Sequence, residues 1–145
     1  MGNSNKSSSR LFAVQILYEM ELNGKSFEVI QKRFSDDSFV ELEKINNQGK
    51  PNKRYIEKLL KGALKNQKKI DDLINKNLKN WKLSRVESLV RSILRISVYE
   101  LIYEDNIPKK IIFNEYIEIA KFFFDGEEPS LINAVLDAIS KNEIK

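Results

Sequence analysis

The stretch from Arg85 to Tyr103, RVESLVRSILRISVYELIY, constrains this chain more than any other. It holds neither Gly nor Pro. On a helix, at about 100° per residue, Val86, Leu89, Val90, Ile93, Leu94, Leu101 and the small Ser97 share one broad face. Ile96, Val98, Tyr99, Ile102 and Tyr103 carry apolar surface around its flanks. Glu87, Arg91 and Arg95 leave a narrow polar strip. A helix apolar over most of its circumference is covered on several sides by other helices. Ser92 and Ser97 are small, so neighbours can approach closely there. The expectation is an all-α domain with this helix at its centre.

The rest of the chain supplies the cover. Residues 1–8 read as a flexible polar arm, with Ser8 or Ser9 placed to cap a helix starting near Arg10. Leu11, Phe12, Val14, Ile16, Leu17 and Met20 spread around that helix, which Asn23-Gly24 ends. Ser26 caps a shorter helix over roughly 27–34, and Phe39, Val40, Leu42 and Ile45 repeat at helical spacing over 36–45. The NNQGKPN run over 46–52 is a loop. Asn52 caps a long helix from Lys53 to Ile74, with a break near Asn66 and a stripe made of Ile56, Leu59, Leu60, Ala63, Leu64, Ile70 and Ile74. Trp81 and Leu83, in a connector, plug into the core. Asn106 and Pro108 separate the central helix from an amphipathic one over 109–124. After the turn Asp125-Gly126-Glu127-Glu128, Pro129 suits the first position of a last helix. Patterning alone gives one domain, residues 1–145, a compact bundle of about six or seven helices.

Composition narrows the chemistry. With 41% hydrophobic and 32% charged residues, the 145-residue chain is globular rather than disordered. It has no Cys and no His, so the common metal-ligand clusters and Ser-His or Cys-His pairs cannot be built. Its five glycines are scattered and form no phosphate loop. No cofactor and no catalytic role are expected. No apolar run approaches the ~18 residues that span a bilayer, and the N-terminus has no apolar secretory core. A cytoplasmic location follows as an expectation.

The net charge of +4 matters less than its distribution. From Lys50 to Lys82 eleven cations face three acids, a net +8. Arg54, Lys58, Lys61, Lys65 and Lys68 step by four, three, four and three, which sets them on one ridge opposite the apolar stripe. Such a ridge is either a solvated face or an anion-facing surface for RNA or an acidic partner, and one amphipathic helix does not separate the two.

Specific residues go further. Ile93-Leu94-Arg95, Tyr99-Glu100-Leu101, Ile107-Pro108, Asn114-Glu115, Glu118-Ile119-Ala120-Lys121-Phe122 and Asn133-Ala134-Val135-Leu136-Asp137 follow one another in order. Together with Arg10, Ala13-Val14-Gln15, Leu17-Tyr18 and Trp81-Lys82-Leu83, they resemble the NusB family of bacterial transcription antitermination factors. The resemblance covers nearly the whole chain. It implies two small helical subdomains and a non-enzymatic role. It also implies pairing with ribosomal protein NusE, binding of the boxA element of nascent RNA, and action on the RNA polymerase elongation complex during ribosomal RNA transcription. Monomer and homodimer both stay open for the free state, and no membrane partner is expected.

Carried onto this sequence, the resemblance assigns RNA contact to Lys6, Ser7, Arg10, Gln15, Tyr18, Glu127 and Ser130. Val90 stands where the family commonly has an acid, and Ala134 where it has Gly; both are assigned to a partner surface. The family's arginine-rich start is reduced here to Lys6 and Arg10. Tyr99, Glu100, Arg95 and Asn114 match best and are assigned structural roles, with Glu100 needing a hydrogen-bonded or cationic partner. Two other functions stay open at this point: an adaptor with weak or lost RNA binding, and a detached NusB-like domain of an RNA methyltransferase.

Overall fold

The computed structural model describes residues 2–26, 28–29, 51–78 and 86–143. Six helices span them in order: α1 (Gly2–Asn23), α2 (Lys53–Lys65), α3 (Gln67–Asn77), α4 (Ser88–Tyr103), α5 (Lys109–Phe123) and α6 (Glu128–Glu143). No strand occurs among the described residues. The helices expected over 27–34 and 36–45, and the packing of Trp81 and Leu83, lie outside them.

α4 is the central helix that the sequence required. Ten of its sixteen residues are buried, among them Ser92 and Ser97. It packs on all five other helices, which jacket it in the order α1, α5, α6, α3, α2 and back to α1. One continuous core results, running from Phe12 and Ile56 through Ile93 and Leu94 to Leu136 and Ile139. Each fully buried Leu, Ile or Phe contributes about 1.5–3 kcal/mol relative to exposure. α4 lies between α1, α2 and α3 on one side and α5 and α6 on the other, so both groups of helices share that core. None of the described helices is long and apolar enough to cross a membrane.

Local signals set most boundaries. Glu87 caps α4 by accepting from the Leu89 N–H at 3.2 Å. Asn52 Oδ1 caps α2 by accepting from the Tyr55 N–H at 3.1 Å. The break at Asn66 separates α2 from α3; its side-chain amide donates to the Gly62 carbonyl at 2.8 Å, beside its own backbone N–H at 3.1 Å. α1 is closed by Gly24 at φ +65°, the left-handed conformation that glycine reaches without strain.

Two boundaries differ from expectation. α1 begins at Gly2, not near Arg10, so the polar segment expected as an arm is helical. Ser8 and Ser9 lie inside it, fully buried, instead of capping it. Small hydroxyl side chains let another helix come close here: Ser9 Oγ accepts from the Asn52 N–H at 2.7 Å. Tertiary packing has overridden the local preference of serine for caps. Pro129 takes the second position of α6, where its missing N–H is still one of the first-turn donors without an intrahelical partner.

Candidate nucleic-acid interface

The N-terminal half of α1 is fixed by one buried charge cluster. Glu100, fully buried on α4, receives four hydrogen-bond donors. Arg10 gives two of them, Nε to Oε1 at 2.9 Å and Nη2 to Oε2 at 2.6 Å. The Tyr55 hydroxyl of α2 donates to Oε2 at 2.7 Å, and the Tyr116 hydroxyl of α5 to Oε1 at 2.7 Å. The remaining arm of the guanidinium, Nη1, donates to Glu115 Oε1 at 2.6 Å, an atom that also accepts from Ser7 Oγ. Four helices thus meet on one carboxylate and one guanidinium.

The electrostatics follow from this enclosure. Burial opposes the charge of Arg10, but the hydrogen bonds to Glu100 and the charges around it more than offset that, so Arg10 is held above its ordinary value. Burial and the Glu100 charge push the Tyr55 and Tyr116 hydroxyls above theirs, so both remain donors. Breaking such a cluster by removing one partner costs about 3–5 kcal/mol, because the other charge is left buried.

Arg10 was expected to touch RNA. It is 2% exposed, and its guanidinium is turned inward to Glu100 and Glu115. The reason is positional: it is the one cation in the apolar run of α1, opposite a carboxylate that nothing else could neutralise. Lys6 and Ser7, one turn earlier, are half-buried at the surface. The Lys6 ammonium sits 5.2 Å from the centre of the Tyr55 ring, a cation–π contact that orients it. Gln15 and Tyr18 are half-buried further along α1, and Glu127 and Ser130 are exposed at the start of α6.

α1, α5 and α6 are consecutive in the jacket around α4. Gln15 and Tyr18 lie on a helix that neighbours α5, Glu127 and Ser130 lie at the turn into α6, and Lys6 sits against Tyr55 of α2. The Arg54–Lys68 ridge runs along α2 and the start of α3. All five of its cations are exposed. Lys58 pairs with Glu104 at 2.8 Å, and Lys61 lies 3.8 Å from Glu57.

The two residues assigned to a partner surface diverge. Val90 is 1% exposed and packs in the core, so its apolar character serves the centre of the bundle and not an outside contact. Ala134 is exposed on α6, beside a groove between α3 and α6 that Leu78, Leu131 and Ala138 also line.

The partner that Glu100 needed is Arg10. Tyr55, Tyr116 and Glu115 were missed as members of the cluster. The available signal was Arg10 itself, a single cation amid Leu11, Phe12, Ala13 and Val14. Arg95 holds Asp71 of α3 through Nε at 2.9 Å and Nη2 at 3.0 Å, and Arg91 holds Glu21 of α1 at 2.6 Å. The polar strip of α4 is thus a pair of clasps to the jacket.

Comparison with known proteins agrees with this architecture. The model of the NusB family matches residues 7–141. The transcription antitermination protein NusB of Caulobacter vibrioides is 38% identical, over 94% of this chain and 93% of its own. That of Clostridium novyi is 35% identical, over 94% of this chain and 98% of its own. Among solved structures, NusB from T. maritima superposes with a TM-score of 0.78 at 28% identity, covering 96% of this chain and 92% of that one. A chain from a crystal structure of the antitermination factors NusB and NusE in complex with dsRNA gives a TM-score of 0.77 at 25% identity, covering 97% and 98%. A central α4 in a five-helix jacket, the ordered motifs along it and these matches agree: the chain belongs to the NusB family.

Proposed function

We propose that this protein is a transcription antitermination factor that binds boxA-type RNA as a heterodimer with ribosomal protein NusE and supports ribosomal RNA transcription. One observation carries this: the likeness, over 97% of the chain, to a chain of a solved NusB–NusE–dsRNA complex. The protein acts as a docking body. Its interior is occupied by side chains, and its useful surface is the exterior of the jacket. Lys6 supplies phosphate charge, Ser7, Gln15, Tyr18 and Ser130 supply hydrogen bonds, and Glu127 lowers affinity by repulsion. Arg10 serves from inside, by holding the helix that carries Lys6. The RNA polymerase elongation complex is the assembly in which the heterodimer acts, in the cytoplasm, with no catalytic step of its own. Ala134, exposed on α6, belongs to a partner surface.

The test is a titration of labelled boxA RNA with the protein, with and without NusE, across salt concentrations. Binding that NusE strengthens, and that a scrambled RNA loses, is expected. Capture of NusE with no RNA binding at any salt would instead establish the adaptor role. The relatives named above are NusB proteins and not methyltransferases, which favours the antitermination role over that of a detached enzyme domain.

A further inference from the structure

A cleft of about 370 Å³ opens where the first turns of α1 meet the loop between α4 and α5 and the first turns of α5. Ile107, Pro108 and Ile111 give it apolar surface, and Ile111 is 40% exposed although apolar. Asn106 and Asn114, both exposed, line it with side-chain amides. Lys6 is part of the same lining, as are Ser7 and Glu115.

The geometry points to a subsite in this cleft for one unpaired nucleobase carrying an exocyclic amine: adenine, cytosine or guanine. The inference rests on the RNA-binding function proposed above and adds a place and a chemistry to it. Its volume lies at the lower end of the range for small-ligand sites, which runs from about 300 to 1,000 Å³. Flat apolar walls with a few polar groups at the edge suit a base: its faces pack on Ile107, Pro108 and Ile111, and its edge meets amides. Both known donors to Glu115, Arg10 Nη1 and Ser7 Oγ, fall on the same oxygen, Oε1. The carboxylate stays a quarter exposed. It can only accept, so it favours an amine edge over a carbonyl edge. It also disfavours an acidic peptide as occupant. Lys6 is held by Tyr55, where its charge can meet the phosphate of the base's own nucleotide. The walls are set before binding, because Arg10 and Ser7 tie α1 to α5 through Glu115, so little ordering cost remains.

The experiment uses the full chain with NusE and a set of synthetic boxA RNAs, each with one abasic nucleotide. At one adenine, cytosine or guanine position the abasic change should weaken binding by roughly tenfold, the worth of one good base contact. Asn114→Ala and Ile111→Ser, both at exposed positions, should lose a similar factor on intact RNA and nothing further on that abasic RNA, the mark of coupling. Lys6→Ala should weaken both RNAs alike. Equal abasic penalties in wild type and both variants at every position, or coupling to a uracil alone, overturns the subsite and leaves RNA binding standing. Failure of the wild type to bind intact boxA RNA beside NusE overturns the proposed function and the subsite together.

Discussion

Gly62 and Tyr99 occupy one space. A Cβ built on Gly62 would lie 2.2 Å from both Cε1 and Cζ of Tyr99. The ring of α4 therefore lies directly on the backbone of α2. It has little freedom to yield: Tyr99 is buried, stacks on Tyr103 with ring centres 5.3 Å apart, and donates to Glu104 at 3.3 Å. Gly62→Ala should destabilise the protein by about 1–2 kcal/mol, since overpacking costs more than the better helix propensity of alanine returns. Denaturant melts of Gly62→Ala, Tyr99→Leu and the double variant check this. Strong coupling between the two changes is expected; additive effects would show that the ring moves aside freely.

Asn52 and Ser9 make a second close junction, between the start of α2 and α1. Asn52 caps α2 with its side chain, while its backbone N–H donates to Ser9 Oγ. Asn52→Ala should cost about 1 kcal/mol and Asn52→Gly only a few tenths, the ordinary values for a lost cap. Unfolding midpoints of the two variants give the answer directly, and no loss in either variant would mean that the cap bond contributes nothing.

Helix identity was legible in the sequence because it rests on period. α4 announced itself by an apolar circumference that only a jacket can cover, and the Asn66 break and the Asn23-Gly24 stop are local chemistry. The start of α1 was not legible. Serines there read as a cap, and nothing local says that Ser8 and Ser9 are small because α2 must pass close by. Val90 failed for a related reason. A residue on a helix buried all round has no outer face to give a partner. Glu100 was legible as a carboxylate in need of donors. Which donors they were depended on three separate helices, and patterning within one helix carries no such information.

Tyrosine burial makes the fold sensitive to alkali. Burial, and then the Glu104 charge, push the Tyr99 hydroxyl up to about 12, from an ordinary value of 10.0. Tyr55 and Tyr116 are displaced in the same direction by burial and Glu100. A raised value means that the native state keeps protons the unfolded chain has lost. The stabilisation is complete below about pH 10 and is lost as pH rises through the folded values, for Tyr99 between 10 and about 12. Urea midpoints followed up to about pH 12 should fall through this window, and the fall should be shallower in Tyr99→Phe and in Tyr55→Phe. An unchanged pH profile in both variants would assign the alkaline loss to other groups.

Lys6 lines the cleft between α1 and α5 while Lys61 and Lys65 stand on α2, and salt dependence tells them apart. Each phosphate neutralised by a cation adds nearly one unit to the slope of log K against log salt, somewhat less for a single strand. Lys6 stands on α1 beside α5, fixed over the Tyr55 ring. Lys61 and Lys65 stand on α2, which packs on α1, α3 and α4 but makes no substantial contact with α5 or α6. Lys6→Ala should therefore flatten the slope for boxA RNA by about 0.7 to 0.9. Lys61→Glu with Lys65→Glu should leave affinity within about twofold and the slope unchanged, because their helix does not border α5 or α6. Titration at several salt concentrations beside NusE measures both. A steep loss in the α2 double variant with none in Lys6→Ala would move the RNA onto α2.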